Sequence, residues 1–349
     1  MSTQRKVNST RDARVLHWTL DFQNVPKYAS KDLKGATMED YASKTVVITG
    51  GTSGLGLALA RILGKRGARI VITGRRAEKG DAAVASLGEK GIEAKFVQQD
   101  VTSEEDWNKL AFTVKQEYGT VDYLFNNAGV MLQPNALMKT TLEDWRWIVD
   151  TNFWGSLYGL RVFGGLMFTQ PEGGRIVTTA STAGVSAFSG WAPYSVTKTA
   201  LVRLVENYQT EAAKFDLEKV KYNVSLPGVF ESDIANSTLH RGERYNNIGG
   251  NGEEMPQSAA HTEAGDRLGM LTADETAQII LDQIDEGRFY LLPHADLTER
   301  VVSLEAEALN NDGQPCDQAI VDFAFYAEKL AAQGITGGGD NVDRLTMSN

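Results

Sequence analysis

The sequence predicts an α/β fold in which a doubly wound parallel sheet carries helices on both faces. Short runs that are apolar on both faces alternate with helix-like stretches along most of the chain, which is typical of parallel sheets. Four unusual residues, Gly50, Asn126, Ser181 and Pro227, each follow a predicted strand. Because this fold class binds ligands at the carboxyl ends of its strands, these observations together predict a binding crevice at that edge.

The regular pattern begins at Lys44, where the strand over 45–49 leads into a glycine-rich loop. The further strands predicted in this half of the chain cover 69–73, 93–98 and 121–125. The helices between them are predicted over 57–63, 79–89 and 103–118. The first of these helices stops near Gly67, and Ser103 is a residue type that caps helices at their amino ends.

The second half continues the alternation with longer helices. One long helix is predicted over 142–168 and a second over 191–214. The remaining strands are predicted over 175–179, 220–226 and 288–292. Two further helical stretches, 297–309 and 319–332, are separated by a turn signal at 310–315.

These patterns divide the chain into three parts. Residues 1–43 show no period and are interpreted as an arm that packs on the main domain or on a second subunit, with disorder as the alternative for the first ten or so residues. Residues 44–293 form the predicted dinucleotide-binding and catalytic domain, and 294–349 form a helical extension. Within the domain, residues 230–272 lack strong apolar clusters and are interpreted as a substrate lid, with disorder as the alternative.

Composition excludes several classes of function. The 349 residues are 42% hydrophobic and 23% charged, with a net charge of −10 and no basic block, so we expect no nucleic-acid partner. No apolar run reaches the roughly 18 residues of a membrane span, and the first 30 residues lack a secretory pattern. With Cys316 as the single cysteine, we expect a cytoplasmic protein. Histidine and cysteine spacing indicates no metal site.

The loop after the first strand carries Gly50, Gly54 and Gly56 in the spacing G-x-x-x-G-x-G. Glycines between a strand and a helix let the backbone approach a pyrophosphate, whose charge meets the helix amino end. In a strand–helix–strand unit this loop predicts a dinucleotide cofactor.

The end of the second strand predicts which dinucleotide binds. Folds that prefer NAD place an acidic residue there for the ribose 2′-hydroxyl, whereas this chain has Arg75 and Arg76. A guanidinium pairs well with a 2′-phosphate, so the sequence predicts NADP(H), with NAD as the alternative.

The strongest catalytic pattern is Tyr194 and Lys198, with Ser181 thirteen residues before the tyrosine. On a helix, residues four apart project from the same face, so the ammonium would lie beside the phenol. We therefore expect Lys198 to lower the pKa of Tyr194, which would make the phenol a usable acid near neutral pH.

In order and in spacing, these motifs resemble those of the short-chain dehydrogenases/reductases, a family with a Rossmann fold, from about residue 44 to residue 292. Residues 49–56 resemble the cofactor loop T-G-x-x-x-G-x-G, residues 126–129 the N-N-A-G segment, and residues 227–228 the P-G motif. Asn152, Ser181, Tyr194 and Lys198 fall at the spacing of the family's catalytic tetrad.

The resemblance implies a role for each of these side chains. Tyr194 would donate a proton to a carbonyl oxygen, Ser181 would hydrogen-bond that oxygen, and Lys198 would hold the nicotinamide ribose. Asn152 would hold a water molecule that relays protons through the lysine. The residues implied to bind the cofactor are Gly50, Thr52, Ser53, Gly54, Leu55, Gly56, Arg75, Arg76, Asp100, Val101, Asn127, Ala128, Gly129, Tyr194, Lys198, Pro227, Gly228, Phe230 and Ser232.

The preferred function is hydride transfer between NADP(H) and a secondary alcohol or ketone, by a homodimer or homotetramer as the family implies. Aromatic residues near the site (Phe188, Trp191 and Phe230) favour a hydrophobic or aromatic substrate, with a place in the hydrophobic core as the alternative for each. Residues 289–294 and the helical tail resemble family members that oxidise benzylic alcohols of lignin-derived aryl ethers with NAD. The same fold also serves non-catalytic dinucleotide sensors and enzymes that catalyse epimerisation or dehydration, although the glycine spacing disfavours the latter.

Overall fold

The computed structural model describes residues 40–215, 217–230, 232–245, 270–311, 313 and 315–332. The predicted arm therefore lies outside the described residues except for 40–43, as does most of the lid segment from 246 to 269. The structural statements below concern the described ranges.

A parallel sheet of seven strands organises the described part of the chain, with the order β3-β2-β1-β4-β5-β6-β7. The strands are β1 (Thr45–Thr49), β2 (Arg69–Gly74), β3 (Ala94–Gln98), β4 (Tyr123–Asn126), β5 (Gly174–Thr179), β6 (Val220–Ser225) and β7 (Tyr290–Leu291). The chain winds outward from β1 to β3, returns, and then winds the other way from β4 to β7. The predicted doubly wound α/β fold is confirmed, and its crossover lies between β1 and β4.

Helices cover both faces of this sheet. They are α1 (Gly54–Lys65), α2 (Ala77–Gly88), α3 (Glu104–Tyr118), α4 (Leu142–Ile148), α5 (Gly155–Thr169), α6 (Ala192–Lys214), α7 (Ala273–Asp285), α8 (Ala295–Asn310) and α9 (Gln318–Ala332). One core packs α1 and α7 against the sheet through residues such as Leu59 and Ile284. The core on the opposite face contains Trp107, Phe163 and Leu201 from α3, α5 and α6.

Two helices differ from the sequence prediction. Helix α7 was not predicted, although Thr272 and Glu275 form a capping box at its start. The single helix predicted over 142–168 is instead interrupted by a π-helical turn, Val149–Trp154, between α4 and α5. Such a turn shifts the backbone hydrogen bonds by one residue and often marks a functional position.

The segment after β6 is anchored to α4 by a buried ion pair. The Arg241 guanidinium donates to the Asp144 carboxylate, and their side chains are only 3% and 10% exposed. The guanidinium also lies 5.0 Å from the centre of the Trp147 ring. Burial favours the neutral acid, but the hydrogen bonds from Arg241 and Thr141 outweigh it and hold the pKa of Asp144 below its ordinary value.

We predict that Asp144→Ala lowers the free energy of unfolding by about 3–5 kcal/mol, because it removes a hydrogen-bonded carboxylate from a buried guanidinium. The matched control is Glu143→Ala, which breaks the exposed neighbouring pair with Arg146 and should cost less than about 1 kcal/mol. Urea unfolding at pH 7 measures both, and equal costs would contradict the assignment. The pKa of Asp144 is lower in the folded than in the unfolded protein. Its stabilising contribution is therefore present above the ordinary carboxyl pKa and should be lost as the pH falls from that value through the lowered pKa of the folded state.

Candidate active site

A cavity of about 350 Å³ opens along the carboxyl ends of the strands. The loops that follow β1 to β6 contribute to its wall, together with the π-helical turn and α9. It spans the crossover between β1 and β4, which is where the sequence predicted a crevice.

Most of the predicted site residues line this one cavity. They are Gly50, Thr52, Ser53, Gly54, Leu55, Arg75, Arg76, Asp100, Val101, Asn127, Ala128, Gly129, Ser181, Tyr194, Lys198, Pro227, Gly228, Phe230 and Ser232. Gly56 and Asn152 lie behind the wall. The fold thus brings together side chains that are widely separated in the sequence, while their contacts with a cofactor remain predictions.

The glycine loop has the backbone shape that its residues predict. Gly50 and Gly54 have φ angles of +64° and +50°, a region that favours glycine. A Cβ atom on Gly56 would lie 2.4 Å from the Gly50 carbonyl oxygen. Gly56 therefore lets α1 pack closely against the loop without itself reaching the cavity.

The amino end of α1 leaves its first N–H groups without a side-chain partner. Ser53 makes no capping hydrogen bond, and the first turn contains no acidic residue. In contrast, α3, α4 and α7 each have a side-chain cap and acidic residues in the first turn. Unsatisfied N–H groups and the positive end of the helix dipole therefore point toward the cavity, as a pyrophosphate requires.

Hydrogen bonds from Thr49 and Asn127 join the ends of β1, β4 and β5. The Thr49 hydroxyl oxygen accepts from the backbone N–H groups of Asn127 and Ala128, each at 3.0 Å. The Asn127 amide donates to the Thr49 carbonyl at 3.0 Å and accepts from the Thr179 hydroxyl at 3.3 Å. This network fixes the central floor of the cavity.

The end of β2 is positively charged. Arg75 and Arg76 are exposed and line the cavity, and Arg75 donates to the His240 carbonyl at 2.7 Å. Burial lowers the pKa of His240 first, and Arg76, Arg75 and Lys79 lower it further. The same positive field would attract a phosphate group.

Gln99 is a cavity residue that sequence reasoning missed. Its side-chain oxygen accepts from the Thr73 hydroxyl at 2.7 Å, which orients the amide. Its nitrogen is buried and has no hydrogen-bond partner within the described ranges. The amide can therefore donate to a ligand, and its place just before Asp100 was the one available signal.

Ser181, Tyr194 and Lys198 lie together on the β5 and α6 side of the cavity. Tyr194 is 8% exposed and lies beside Ser181, whose hydroxyl donates to the Pro227 carbonyl at 3.3 Å and accepts from the Ala183 N–H at 3.2 Å. The Lys198 amine lies 5.4 Å from the centre of the Tyr194 ring and donates to the Thr179 carbonyl at 2.8 Å. The predicted grouping of the three side chains is thus present in the fold.

The expected effect of Lys198 on the phenol is wrong for the protein without a ligand. Burial raises the pKa of Tyr194 to about 12, although the neighbouring Ser181 hydroxyl opposes the rise. Burial also lowers the pKa of Lys198 to about 7. An amine that is largely neutral above pH 7 provides little field to stabilise a phenolate, so desolvation dominates both groups.

Asn152 is fully buried in the π-helical turn. Its oxygen accepts from the Val130 N–H at 2.8 Å, and its amide donates to the Val130 carbonyl at 2.9 Å and to the Thr197 hydroxyl at 3.2 Å. The side chain therefore locks the segment after β4 to helix α6, one residue from Lys198. Its proposed role with a water molecule remains a prediction.

The loop after β6 contacts residues around the start of α8. The Gly228 N–H donates to Nδ1 of His294 at 3.0 Å, and a Cβ atom on Gly228 would lie 3.0 Å from Leu297. Burial lowers the pKa of His294 to about 4, so the ring stays neutral and keeps this acceptor at physiological pH. His294 positions Pro227 and Gly228, a role that the sequence did not reveal.

The substrate end of the cavity is partly aromatic. Phe188 lines the wall and stacks on Trp191, with ring centres 4.5 Å apart. Gln318 and Asp322 of α9 also line the cavity. The sequence predicted this helix as part of the C-terminal extension and gave no sign that it reaches the cavity.

Two negative findings apply to the described ranges. No group of three or more histidine, cysteine or acidic side chains is arranged to hold a metal ion. No helix in these ranges combines the length and the apolar character needed to cross a bilayer.

Comparison with known proteins identifies the family. Residues 44–242 match the short chain dehydrogenase family, which is more than half of the chain. The chain therefore belongs to the short-chain dehydrogenases/reductases, oxidoreductases that act on alcohols with a nicotinamide cofactor.

Two similar proteins and one similar solved structure illustrate the range of the family. A C alpha-dehydrogenase of Sphingobium sp. is 29% identical over 75% of this chain and 84% of its own length. An NADP-dependent (R)-specific alcohol dehydrogenase of Lentilactobacillus kefiri is 31% identical over 55% of this chain and 75% of its own. A short chain dehydrogenase/reductase of Burkholderia phymatum in complex with NAD superimposes with a TM-score of 0.72 at 29% identity, covering 80% of this chain and 99% of the other.

We predict a pH-dependent stability difference between Lys198→Met and the wild type without cofactor. The pKa of Lys198 in the folded protein, about 7, lies below the ordinary value of 10.5. Burying the charged amine therefore lowers the free energy of unfolding, and this penalty has its full size below pH 7. That penalty disappears as the pH rises toward 10.5. The variant's gain in melting temperature over the wild type should therefore be larger at pH 6 than at pH 9.

Lys214→Met, on the exposed part of the same helix, is the control and should show no such trend. A difference for Lys198→Met that stays constant from pH 6 to pH 9 would show that the amine is not desolvated.

Proposed function

We propose that this protein transfers a hydride between NADP(H) and a secondary alcohol or ketone with a hydrophobic or aromatic substituent. The observation that carries the proposal is that Ser181, Tyr194 and Lys198 line the same cavity as the uncapped amino end of α1. A proton-transfer group and a helix end that can bind the cofactor's phosphates thereby line the same cavity.

The dinucleotide, when bound, supplies or accepts the hydride. Tyr194 provides the proton: with a pKa of about 12 the phenol stays protonated at neutral pH and can donate to a carbonyl oxygen as negative charge develops. The Ser181 hydroxyl lies beside the phenol and, by turning away from the Pro227 carbonyl, can donate to the same substrate oxygen, which stabilises the developing oxyanion. The reverse oxidation needs a deprotonated phenol, so higher pH favours it.

Lys198 is proposed to orient the cofactor ribose. Its hydrogen bond to the Thr179 carbonyl fixes the amine at the cavity wall. Asn152 holds Val130 and Thr197 and so keeps the wall beside this amine in place. Both are consistent with the tetrad that the sequence motifs imply.

We predict that Tyr194→Phe lowers kcat by roughly 10²- to 10⁴-fold, because the proton donor is lost while the ring remains. The affinity for NADPH should change little. Tyr208→Phe, on the same helix but outside the cavity, is the matched control. Steady-state turnover of NADPH with a panel of aryl ketones and aldehydes, followed at 340 nm, measures the effect; a variant as active as the control would refute the role.

The choice of NADP(H) rests on Arg75 and Arg76, which line the cavity at the end of β2 where a carboxylate would favour NAD. The NADP-dependent relative agrees with this choice.

We predict that Arg75→Asp lowers the ratio of kcat/KM for NADPH over NADH by roughly 10- to 100-fold, because it removes a charged hydrogen-bond donor from the 2′-phosphate. Lys90→Asp, at the far end of α2 and exposed, makes the same charge change away from the site. An unchanged ratio for Arg75→Asp and for Arg76→Asp would overturn the assignment.

The second candidate function is oxidation of a benzylic alcohol with NAD. The similarity to the C alpha-dehydrogenase favours it. An enzyme that prefers NADH and is indifferent to Arg75 would support this candidate. Failure to oxidise NADPH or NADH with any carbonyl compound would favour a dinucleotide sensor instead.

A further inference from the structure

Helix α9 presents one polar stripe to the cavity. Gln318, Asp322 and Tyr326 follow one another at intervals of four residues and therefore lie on one face of the helix. Gln318 and Asp322 line the cavity, and Tyr326 is buried beside it.

Each end of the stripe is tied to a different loop of the active site. The Ser186 hydroxyl donates to the Gln318 side-chain oxygen at 2.8 Å, and the Gln318 N–H donates to the Ala187 carbonyl at 2.8 Å. The Tyr326 hydroxyl donates to the Val229 carbonyl at 3.5 Å. Asp322 is thereby held between the loop that joins Ser181 to Tyr194 and the loop that follows β6.

The Ser186 loop is in turn fixed to the catalytic helix. The hydroxyl of Ser195, the neighbour of Tyr194, donates to the Ser186 carbonyl at 3.1 Å and to the Ala183 carbonyl at 2.9 Å. A displacement of α9 relative to the catalytic tyrosine would break these buried hydrogen bonds. Asp322 therefore has a defined position relative to the reacting end of the cavity.

The Asp322 carboxylate is incompletely satisfied. The Gln318 amide donates to its Oδ1 atom, and the amide is oriented by its bond from Ser186. Its Oδ2 atom accepts no hydrogen bond, and the group forms no ion pair, within the described ranges. A carboxyl group in a cavity wall with one free oxygen is available to a ligand.

We infer that Asp322 forms a substrate subsite that binds a hydroxyl group of the substrate at a distance from the carbonyl that is reduced. This inference rests on the proposed function and adds a specificity determinant to it. A hydroxyl fits better than an ammonium group, because a hydroxyl pairs with the carboxyl group in either protonation state.

The electrostatic surroundings of Asp322 agree with such a role. Burial raises its pKa to about 7; Gln318 opposes the rise and the nearby carboxylate of Asp317 adds to it. Burial first, and then the charge of Asp322, raise the pKa of the Tyr326 phenol to about 12. A shifted pKa in a ligand cavity is typical of residues that serve function rather than stability.

The test compares matched pairs of aryl ketones with and without a hydrogen-bond donor. The pairs are 3′-hydroxy- and 3′-methoxyacetophenone, 4′-hydroxy- and 4′-methoxyacetophenone, and 3-hydroxy- and 3-methoxypropiophenone. In the wild type, kcat/KM for the hydroxyl member of at least one pair should exceed that of its partner by roughly 10- to 100-fold. Asp322→Leu should abolish that preference, Asp322→Asn should reduce it, and Asp296→Leu, exposed on α8, should leave it unchanged.

A wild type without preference in any pair, or a preference that survives in Asp322→Leu, would overturn the subsite. Calorimetric binding of the same six ketones to protein saturated with NADPH separates the two proposals. If turnover is absent but hydroxyl-dependent binding is lost in Asp322→Leu, the subsite stands and the proposed reaction fails. If turnover is present without preference, or if no ketone binds, the subsite fails. Melting temperatures confirm that each variant is folded.

Discussion

The active site depends on one hydroxyl group, that of Thr49. It accepts hydrogen bonds from two consecutive backbone N–H groups, those of Asn127 and Ala128, just where β1 and β4 separate. After β1 and after β4 the chain turns away from the sheet in opposite directions. The backbone N–H groups just beyond β4 therefore have no neighbouring strand to pair with. The threonine side chain satisfies them, and the floor of the cavity stays rigid while the space above it remains open for a ligand.

Desolvation, more than pairwise attraction, sets the protonation of Tyr194 and Lys198, the side chains proposed to be catalytic. The pKa of Tyr194 rises to about 12 and that of Lys198 falls to about 7, so both groups are largely neutral at slightly alkaline pH. Negative charge that enters with a ligand is therefore not compensated in advance by the buried lysine. The exposed arginines at the end of β2 and the amino end of α1 provide the positive field instead.

The pattern of adjacent residues predicted the strands and helices well, but it predicted contacts between distant parts of the chain poorly. The first strand was predicted over the residues that the structure assigns to it, and Ser103 caps α3 as expected, because burial on both faces and capping chemistry are visible in a few adjacent residues. The π-helical turn was not predictable, because a one-residue shift of hydrogen bonds leaves no mark on composition. Gln99 and His294 were missed for another reason: their hydrogen-bond partners lie in distant parts of the chain. Asp322 was missed because only the fold brings α9 to the cavity. The pKa of Tyr194 was misjudged because the sequence shows the neighbouring charge but not the depth of burial.

The π-helical turn has a consequence for how this region tolerates change in length. Since a helical residue advances by about 100° around the axis, the extra residue in Val149–Trp154 sets the azimuth of α5 relative to α4. Removing a single residue here would restore an uninterrupted α-helix and rotate Trp154 and Phe168, both partly exposed, to a different side of the molecule. Asn152 would at the same time turn away from Val130. The same extra residue thus sets both the direction of the Asn152 side chain inside the protein and the position of the aromatic side chains on its surface.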